Sequence, residues 1–416
     1  MDHPFMIALF IKTMTMFGDS VFAIRMVSVF CFSIASVFVY LTAKRAFDDK
    51  TAIVALFIFL SSPATSMGFT IASPDSPLVM FWAVGLYFSY RAIFEGKVVD
   101  YLLAGSTAGL ALSSKYTAIL LLAFIGIFLL IRRRKDIFSF KPWLAVLFAI
   151  LFFAPTIYWN YTHDWLSFAF QFKHGTNESF SIDWGHFFEF FGGLFLVFSP
   201  LFFGYFLFLL TRIKEWFYDD KLLYFALSGI FVIAFFLYKG LFLKMQLNWV
   251  APAFIGLSIF TARYLVITGA KKLLTIGLGI SLVLSIVVRF PSLVGLKGEQ
   301  NIHSRLYGYK ELSDEVRRVA VPDDKIFADH LTMASIMSFY LPEYGEARIP
   351  TSTRRSMFDE WQKGMEFKTQ KGIYVSDTDR KAELAKIWQN TELIEIFQTA
   401  SPAYKKRKFY IYRVSN

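Results

Sequence analysis

Long apolar runs joined by short polar connections fill the first 290 residues. Runs long enough to span a bilayer, or to pair as half-spans, occupy 22–41, 51–70, 77–94, 101–113, 117–131, 142–158, 190–210, 222–238, 248–267 and 272–290, because a hydrocarbon core about 30 Å thick needs about 20 apolar residues in a helix. The pattern predicts ten membrane segments. Two of them are short and flank Ser113-Ser114-Lys115-Tyr116, so one kinked helix is the competing reading there. Beyond Phe290 the hydrophobicity drops and the periodicity switches between helix and strand. Helices are expected over 311–319, 333–340 and 380–388, and strands over 325–328, 372–375 and 409–414. The expected fold is an α-helical polytopic membrane domain over 1–291 followed by a small water-soluble α/β domain over 292–416, with Pro291 and Gly295 marking the boundary.

Charge decides between the two topologies. With ten segments, the connections at 42–50, 91–100, 132–141, 211–221 and 268–272 carry fifteen Lys and Arg, and the opposite side carries five. The positive-inside rule places the first set in the cytoplasm and both termini outside. Merging the two short segments would move Lys44, Arg45, Arg91 and Lys97 outward, a poorer fit. The net charge of +11 is then a topological signal, and no nucleic-acid partner is expected. Hydrophobic residues make up 56% of the 416, with 50 phenylalanines and mean hydropathy +0.48, which excludes an ordinary soluble domain. The single cysteine, Cys31, excludes an intramolecular disulfide and any cysteine metal cluster. The first twenty residues lack the basic start and small-residue cleavage site of a signal peptide.

The polar island Trp159 to Gly175 interrupts two apolar runs. Asn160, His163, Asp164, Gln171, Lys173 and His174 are too costly to leave unpartnered in lipid, so the island lies at a surface or lines a cavity. The topology puts it on the outer face with Asp2-His3-Pro4, Ser73-Pro74-Asp75-Ser76-Pro77, Lys115-Tyr116, Lys244 and Asn248-Trp249. Bland readings compete. Asp75 could cap a helix, Lys115 could snorkel to the headgroups, and Trp159, Trp165 and Trp249 could be interfacial belt residues. Together, the carboxylates Asp2 and Asp75 with Lys115, Lys173, His174 and Lys244 suit transfer from a phosphate-bearing donor. A carboxylate takes a proton from the attacking hydroxyl, and cations stabilise the charge growing on the phosphate. Aromatic side chains suit a sugar face or an isoprenoid tail. A divalent cation is a candidate cofactor, with Asp2 and His174 among its ligands and His3 and His163 as further nitrogen donors, although no H-E-x-x-H spacing occurs.

Several separated motifs resemble the bacterial family-39 glycosyltransferases, relatives of protein O-mannosyltransferases and of the aminoarabinose transferase that modifies lipid A. They are Asp2-His3-Pro4-Phe5-Met6; Gly18-Asp19-Ser20 with Phe22 and Arg25; Ser73-Pro74-Asp75-Ser76-Pro77-Leu78; Ser114-Lys115-Tyr116-Thr117; Trp159-Asn160 with His163-Asp164-Trp165 and Ser167-Phe168-Ala169-Phe170-Gln171; and Asn248-Trp249 with Pro252. Tyr309, Phe339-Tyr340 and Arg354-Arg355 to Trp361 resemble the family's outer C-terminal domain. The resemblance implies a GT-C fold and a polyprenyl phosphate sugar as donor. The acceptor would be lipid A, a glycan or a protein, at the outer face of the inner membrane and among membrane lipids. By position it makes Asp2 and Asp75 acidic active-site residues, puts Asp2 where relatives have a metal-site glutamate, and puts His3 where they have a phosphate-binding lysine. Lys173 and His174 fall near a basic phosphate-binding position. The remaining substrate-binding expectations are Lys115, Tyr116, Trp159, Asn160, His163, Asp164, Gln171, Lys244, Asn248 and Trp249.

Two departures stand out. Relatives read Asp-His-Pro-Pro where this chain has Pro4-Phe5, and they carry an upstream helix and an Asp-Glu pair before that motif, whereas Met1 directly precedes Asp2 here. The expectation is either a truncated start or a chain lacking the family's main carboxylate, with Asp75 or Asp2 then serving as base. The leading functional reading is an inverting glycosyl transfer. The alternatives are a transporter or flippase of a lipid-linked substrate, against which the scarcity of midplane charges argues, and a non-catalytic membrane assembly protein.

Overall fold

A computed structural model describes residues 3–176, 181–351 and 356–416, the side chains of 173–176 excepted. It comprises a helical unit ending at Arg289 and a second unit, Phe290–Asn416. The helical unit contains α1 (Met6–Thr15), α2 (Val21–Ala46), α3 (Asp49–Ser61), α4 (Pro63–Gly68), α5 (Asp75–Glu95), α6 (Val98–Leu112), α7 (Ile119–Arg132) and α8 (Arg134–Ile137). It continues with α9 (Phe140–Thr162), α10 (Leu166–Thr176), α11 (Trp184–Phe198), α12 (Pro200–Thr211), α13 (Ile213–Trp216), α14 (Asp220–Gly240), α15 (Ala253–Ile267) and α16 (Lys271–Arg289). Among the described residues, α2, α5, α9, α14 and α16 are long and apolar enough to cross a membrane singly. The outer flanks of α9 and α16 present Leu147, Ile150, Leu151, Leu282 and Val283 more than half exposed, as lipid rather than water requires.

Two expected segments are broken. The run 190–210 is not one span: α11 and α12 meet at 113°. Pro200 has no N–H to continue the α11 ladder, and Ser199 takes φ 109°, an uncommon left-handed value for a side-chain-bearing residue. The run 51–70 divides at Ser62-Pro63, where the Ser62 hydroxyl accepts from Thr65 N and starts α4.

Ion pairs sort the connections into two ends. At one end Arg45 meets Glu95, Arg263 meets Asp48 and both Arg132 and Arg133 meet Asp220, while Lys221 Nζ donates to Ala46 O and Lys141 Nζ to Gly96 O. These are the basic connections expected to share one side. One of these acids has a second task, since Asp48 also caps α3, while Asp219, next to Asp220, caps α14. At the other end Met6 N donates to Ser113 O, Lys115 meets Asp75, and Asp183 N donates to Leu241 O. Because α14 runs from the first end to the second, the bent pair, which starts beside Leu241 and leads to Asp219, still carries the chain from end to end. The alternation expected from the sequence survives the break.

Close helix contacts depend on missing side chains. A Cβ on Gly105 of α6 would lie 2.1 Å from Ala145 O of α9, and one on Gly109 would lie 2.4 Å from Ala149 O, whereas one on Gly126 of α7 would meet nothing within 4 Å. Gly105→Leu should therefore cost roughly 1–3 kcal/mol by forcing backbones apart. Gly126→Ala should be neutral or stabilising by up to about 1 kcal/mol. Thermal unfolding of the two variants in detergent checks this contrast.

The second unit is a four-stranded sheet in the order β1-β2-β4-β3, built from β1 (Lys325–Ala328), β2 (Gly372–Ser376), β3 (Asn390–Gln398) and β4 (Lys408–Ser415), with β1 and β2 parallel and the remaining pairs antiparallel. Alternation sends Ile326, Ile373, Val375, Phe409 and Ile411 to one face, against α17 (Tyr309–Val319) and α18 (Leu331–Tyr340). Phe327, Tyr374, Tyr412 and Val414 face the other way, onto Leu384 and Trp388. Short helices α19 (Met357–Trp361) and α20 (Lys381–Leu384) complete it. The expected helix 380–388 shrinks to α20, since Trp388 turns inward and donates to Phe367 O and Gln370 O. The strand β3 was not expected: it lies at the sheet edge, and a register irregularity between Leu393 and Glu395 breaks its alternation.

Candidate active site

The turn Ser113 to Tyr116, between α6 and α7, is the hub of the second end. Ser113 O accepts from Met6 N, and its hydroxyl donates to Phe152 O of α9. The next residues reach in two directions. Lys115 Nζ lies 2.7 Å from Asp75 Oδ1, and the ammonium sits 5.4 Å from the centroid of the Trp249 ring. Asn248 Nδ2 donates to the other oxygen, Asp75 Oδ2, at 2.6 Å. Three separate pieces of chain thus converge on one carboxylate.

This geometry removes two bland readings. Asp75 is not a cap: Pro74 holds the cap position, and the carboxylate turns away from its own helix to Lys115 and Asn248. Nor does Lys115 snorkel, being only 5% exposed. Burying an ammonium and a carboxylate costs several kcal/mol per ion unless each finds a partner. Here the ion pair, an amide and a ring face share that load, and the ring's negative face adds to the attraction.

The second direction leads to the polar island. Tyr116 OH is 2.7 Å from Ser167 Oγ and 3.4 Å from Asn160 Nδ2. Asn160 is fully buried. Its amide donates to Thr156 O, and its Oδ1 accepts from Phe168 N across the corner between α9 and α10. That corner holds Asp164 and Trp165 at φ 52° and 56°, a pair of left-handed residues that needs outside support. In this structure Asn160 clamps the corner. Asn160→Ala should leave Phe168 N unmatched and cost roughly 1–3 kcal/mol locally, read as faster amide exchange over 163–170 with exchange in α5 unchanged.

The other expected site residues scatter. Trp159 stacks on His163 with centroids 4.2 Å apart, and His163 Nδ1 also lies 2.9 Å from Trp159 O. Asp164 is exposed, while His3 and Gln171 are half-buried. Lys244 stands outside the buried network, in an exposed ion pair with Glu189 at 2.8 Å. Its removal should change stability by less than about 1 kcal/mol. Asp2 and the side chains of Lys173 and His174 lie outside the described residues. Sequence reasoning missed the supports Ser113, Thr156, Ser167 and Glu189. Ser167 sits inside a motif that was singled out, but nothing in spacing marks it as the partner of Tyr116.

A cavity of about 620 Å³ opens at the opposite, charged end, lined by residues that include Phe47, Phe94, Arg133, Lys221 and Arg263. Every one of these cations already faces a carboxylate or carbonyl. The buried Asp75 pair is the better mark of chemistry, because paired charge inside a membrane unit is expensive and is kept where function uses it.

A helical membrane unit with a small mixed-sheet unit after it, and a buried carboxylate–ammonium pair at one helix-end cluster, defines a class. The chain is a membrane glycosyltransferase with a GT-C fold, similar to protein mannosyltransferases and aminoarabinose transferases. Residues 2–159 match the family described as dolichyl-phosphate-mannose-protein mannosyltransferase. The lipid A galacturonosyltransferase RgtD of Rhizobium johnstonii is 24% identical over 431 aligned positions, covering 100% of this chain and 89% of that protein. The undecaprenyl phosphate-alpha-4-amino-4-deoxy-L-arabinose arabinosyl transferase of Yersinia pestis is 29% identical over 163 positions, or 35% of this chain and 29% of the relative. The crystal structure of ArnT from Cupriavidus metallidurans bound to undecaprenyl phosphate shares the fold, with TM-score 0.68 at 15% identity over 99% of this chain and 88% of that one.

Proposed function

We propose that the chain transfers a sugar from a polyprenyl-phosphate-linked donor to a hydroxyl or phosphate oxygen on a lipid A-type acceptor, with the Asp75–Lys115–Asn248 cluster as the reaction site. The observation that carries the reading is the buried ion pair Lys115–Asp75 at 2.7 Å, bracketed by Asn248 and Trp249. The relatives' names supply the donor and acceptor classes: one acts on lipid A, another takes an undecaprenyl phosphate sugar. In this reaction the acceptor oxygen forms a bond to the anomeric carbon as the bond from that carbon to the phosphate oxygen breaks. The phosphate leaves with the electron pair, and where the acceptor is a hydroxyl its proton passes to a carboxylate. Lys115 supplies positive charge for the departing phosphate. Asp75 holds Lys115 in place and, with each oxygen keeping a free lone pair beside its hydrogen bond, takes the proton. Trp249 and Tyr116 offer flat faces to sugar or prenyl chain. The excess of Lys and Arg at the other end points that end to the cytoplasm, so the site faces the periplasm and the protein resides in the inner membrane.

A photoactivatable polyprenyl phosphate, crosslinked to the protein in membranes and mapped by peptide mass, tests the location. Adducts are expected within 113–117 and 246–252. Adducts confined to Phe47 and Phe94 of the charged-end cavity would contradict it.

A further inference from the structure

The sheet unit carries a second cluster of chemical groups. Asp329 follows β1 directly, His330 precedes α18, and Asp377 follows β2. One ligand atom from each lies within 4.8 Å of the other two. We infer that Asp329, His330 and Asp377, within the sheet unit, form a binding site for a divalent transition-metal cation of the Zn²⁺ class.

The first argument is topological. The strands β1 and β2 are the parallel pair of the sheet, and in α/β units ligands bind beyond the carboxyl ends of parallel strands, where loops turn away to opposite faces. All three residues lie at that edge. The donor types there, two carboxylates and an imidazole, are those of a cation site, with Arg407 and Arg380 as the nearby positive charges.

The second argument concerns burial. The Asp329 side chain is only 2% exposed, while the His330 side chain next to it is 41% exposed. A carboxylate this deep needs compensation. Asp329 Oδ1 lies 2.5 Å from His330 Nδ1, and Oδ2 accepts from Ser376 Oγ at 2.8 Å. Asp377 then adds a second negative charge on the solvent side. The site therefore holds two carboxylates and one imidazole, buried on one side and exposed on the other, with a buried hydroxyl orienting the inner carboxylate from behind. An outer hydrogen bond of that kind fixes a metal-ligating group in other sites.

Size and softness narrow the ion. Metal–ligand bonds of ~2.0–2.1 Å in a tetrahedral site put ligand atoms roughly 3.3 Å apart, so the Asp329–His330 contact opens slightly and Asp377 swings inward. An imidazole with two carboxylates favours Zn²⁺ or Mn²⁺ over Ca²⁺, which takes oxygen ligands only. Three protein ligands leave at least one position for water or for a group from a partner molecule.

The test uses the full chain, purified in detergent, stripped with a chelator and titrated with Zn²⁺ against a chromophoric competitor. His174→Ala serves as the background, so that any zinc held by that residue is removed from the count. One zinc per chain is expected, weakened at least tenfold by Asp377→Asn and by His330→Gln. X-ray absorption of the zinc-loaded chain should show an N/O shell containing one imidazole. Asp377 is exposed, so its variant keeps the fold, and circular dichroism confirms this. Ser376→Ala should weaken binding without abolishing it. No zinc in the parent chain, or zinc bound with equal affinity by parent, Asp377→Asn and His330→Gln, would overturn the site. Neither outcome bears on glycosyl transfer, which the two substitutions leave unchanged.

Discussion

Asp75→Asn lowers the transfer rate by about 10²–10⁴-fold, the loss expected when a group that takes a proton in the transition state is removed. The same substitution strips Lys115 of its counter-charge. Lys115 is 5% exposed and has Asn248 and Trp249 nearby only through Asp75 and the ring face, so solvent cannot take over. Breaking a buried pair by neutralising one member costs about 3–5 kcal/mol. Initial rates with a labelled donor and thermal unfolding in the same detergent read the two effects separately. A variant that keeps full activity would remove Asp75 from the chemistry, whatever happens to stability.

Lys115→Met is the second large effect, and its value lies in combination. Alone it leaves Asp75 buried with the Asn248 amide as its remaining listener, and stability falls by a similar ~3–5 kcal/mol. Joined to Asp75→Asn in one chain, it replaces two charges by two neutral groups of similar volume, and such swaps are often neutral or stabilising. The double variant should therefore recover most of the stability lost by either single one, a coupling of more than 2 kcal/mol. It should stay inactive. A double variant that regained both stability and turnover would make the pair structural only, and a double variant no more stable than the singles would mean that the charges are not coupled.

The glycosyltransferase class was legible because several motifs stand in order along the chain, and the apolar helices were legible because apolar length is a local property. Strand β1 was read to the residue, since Lys325 to Ala328 is short, apolar and bounded by turn residues. Strand β3 was not, because its bulge at Leu393 and Glu395 scrambles the alternation that reveals a strand. Composition could not show the 113° break at Ser199-Pro200, as apolar residues run on through both sides of it from 190 to 210. Within the site, sequence named Asp75, Lys115, Asn248 and Trp249 but not who touches whom. Asn160 and Lys244 show why. Both are polar residues in or beside the connections between apolar helices, yet one is buried as a clamp and the other pairs with Glu189 in solvent. Burial is set by tertiary neighbours, which a single sequence does not display.

The most direct test of the account is sugar transfer itself, measured in proteoliposomes that carry the chain, a labelled polyprenyl phosphate sugar and lipid A. The account predicts label in lipid A with the parent chain, release of polyprenyl phosphate in equal amount, and loss of both products with Asp75→Asn. Label reaching lipid A at the parent rate in the Asp75→Asn chain would contradict it.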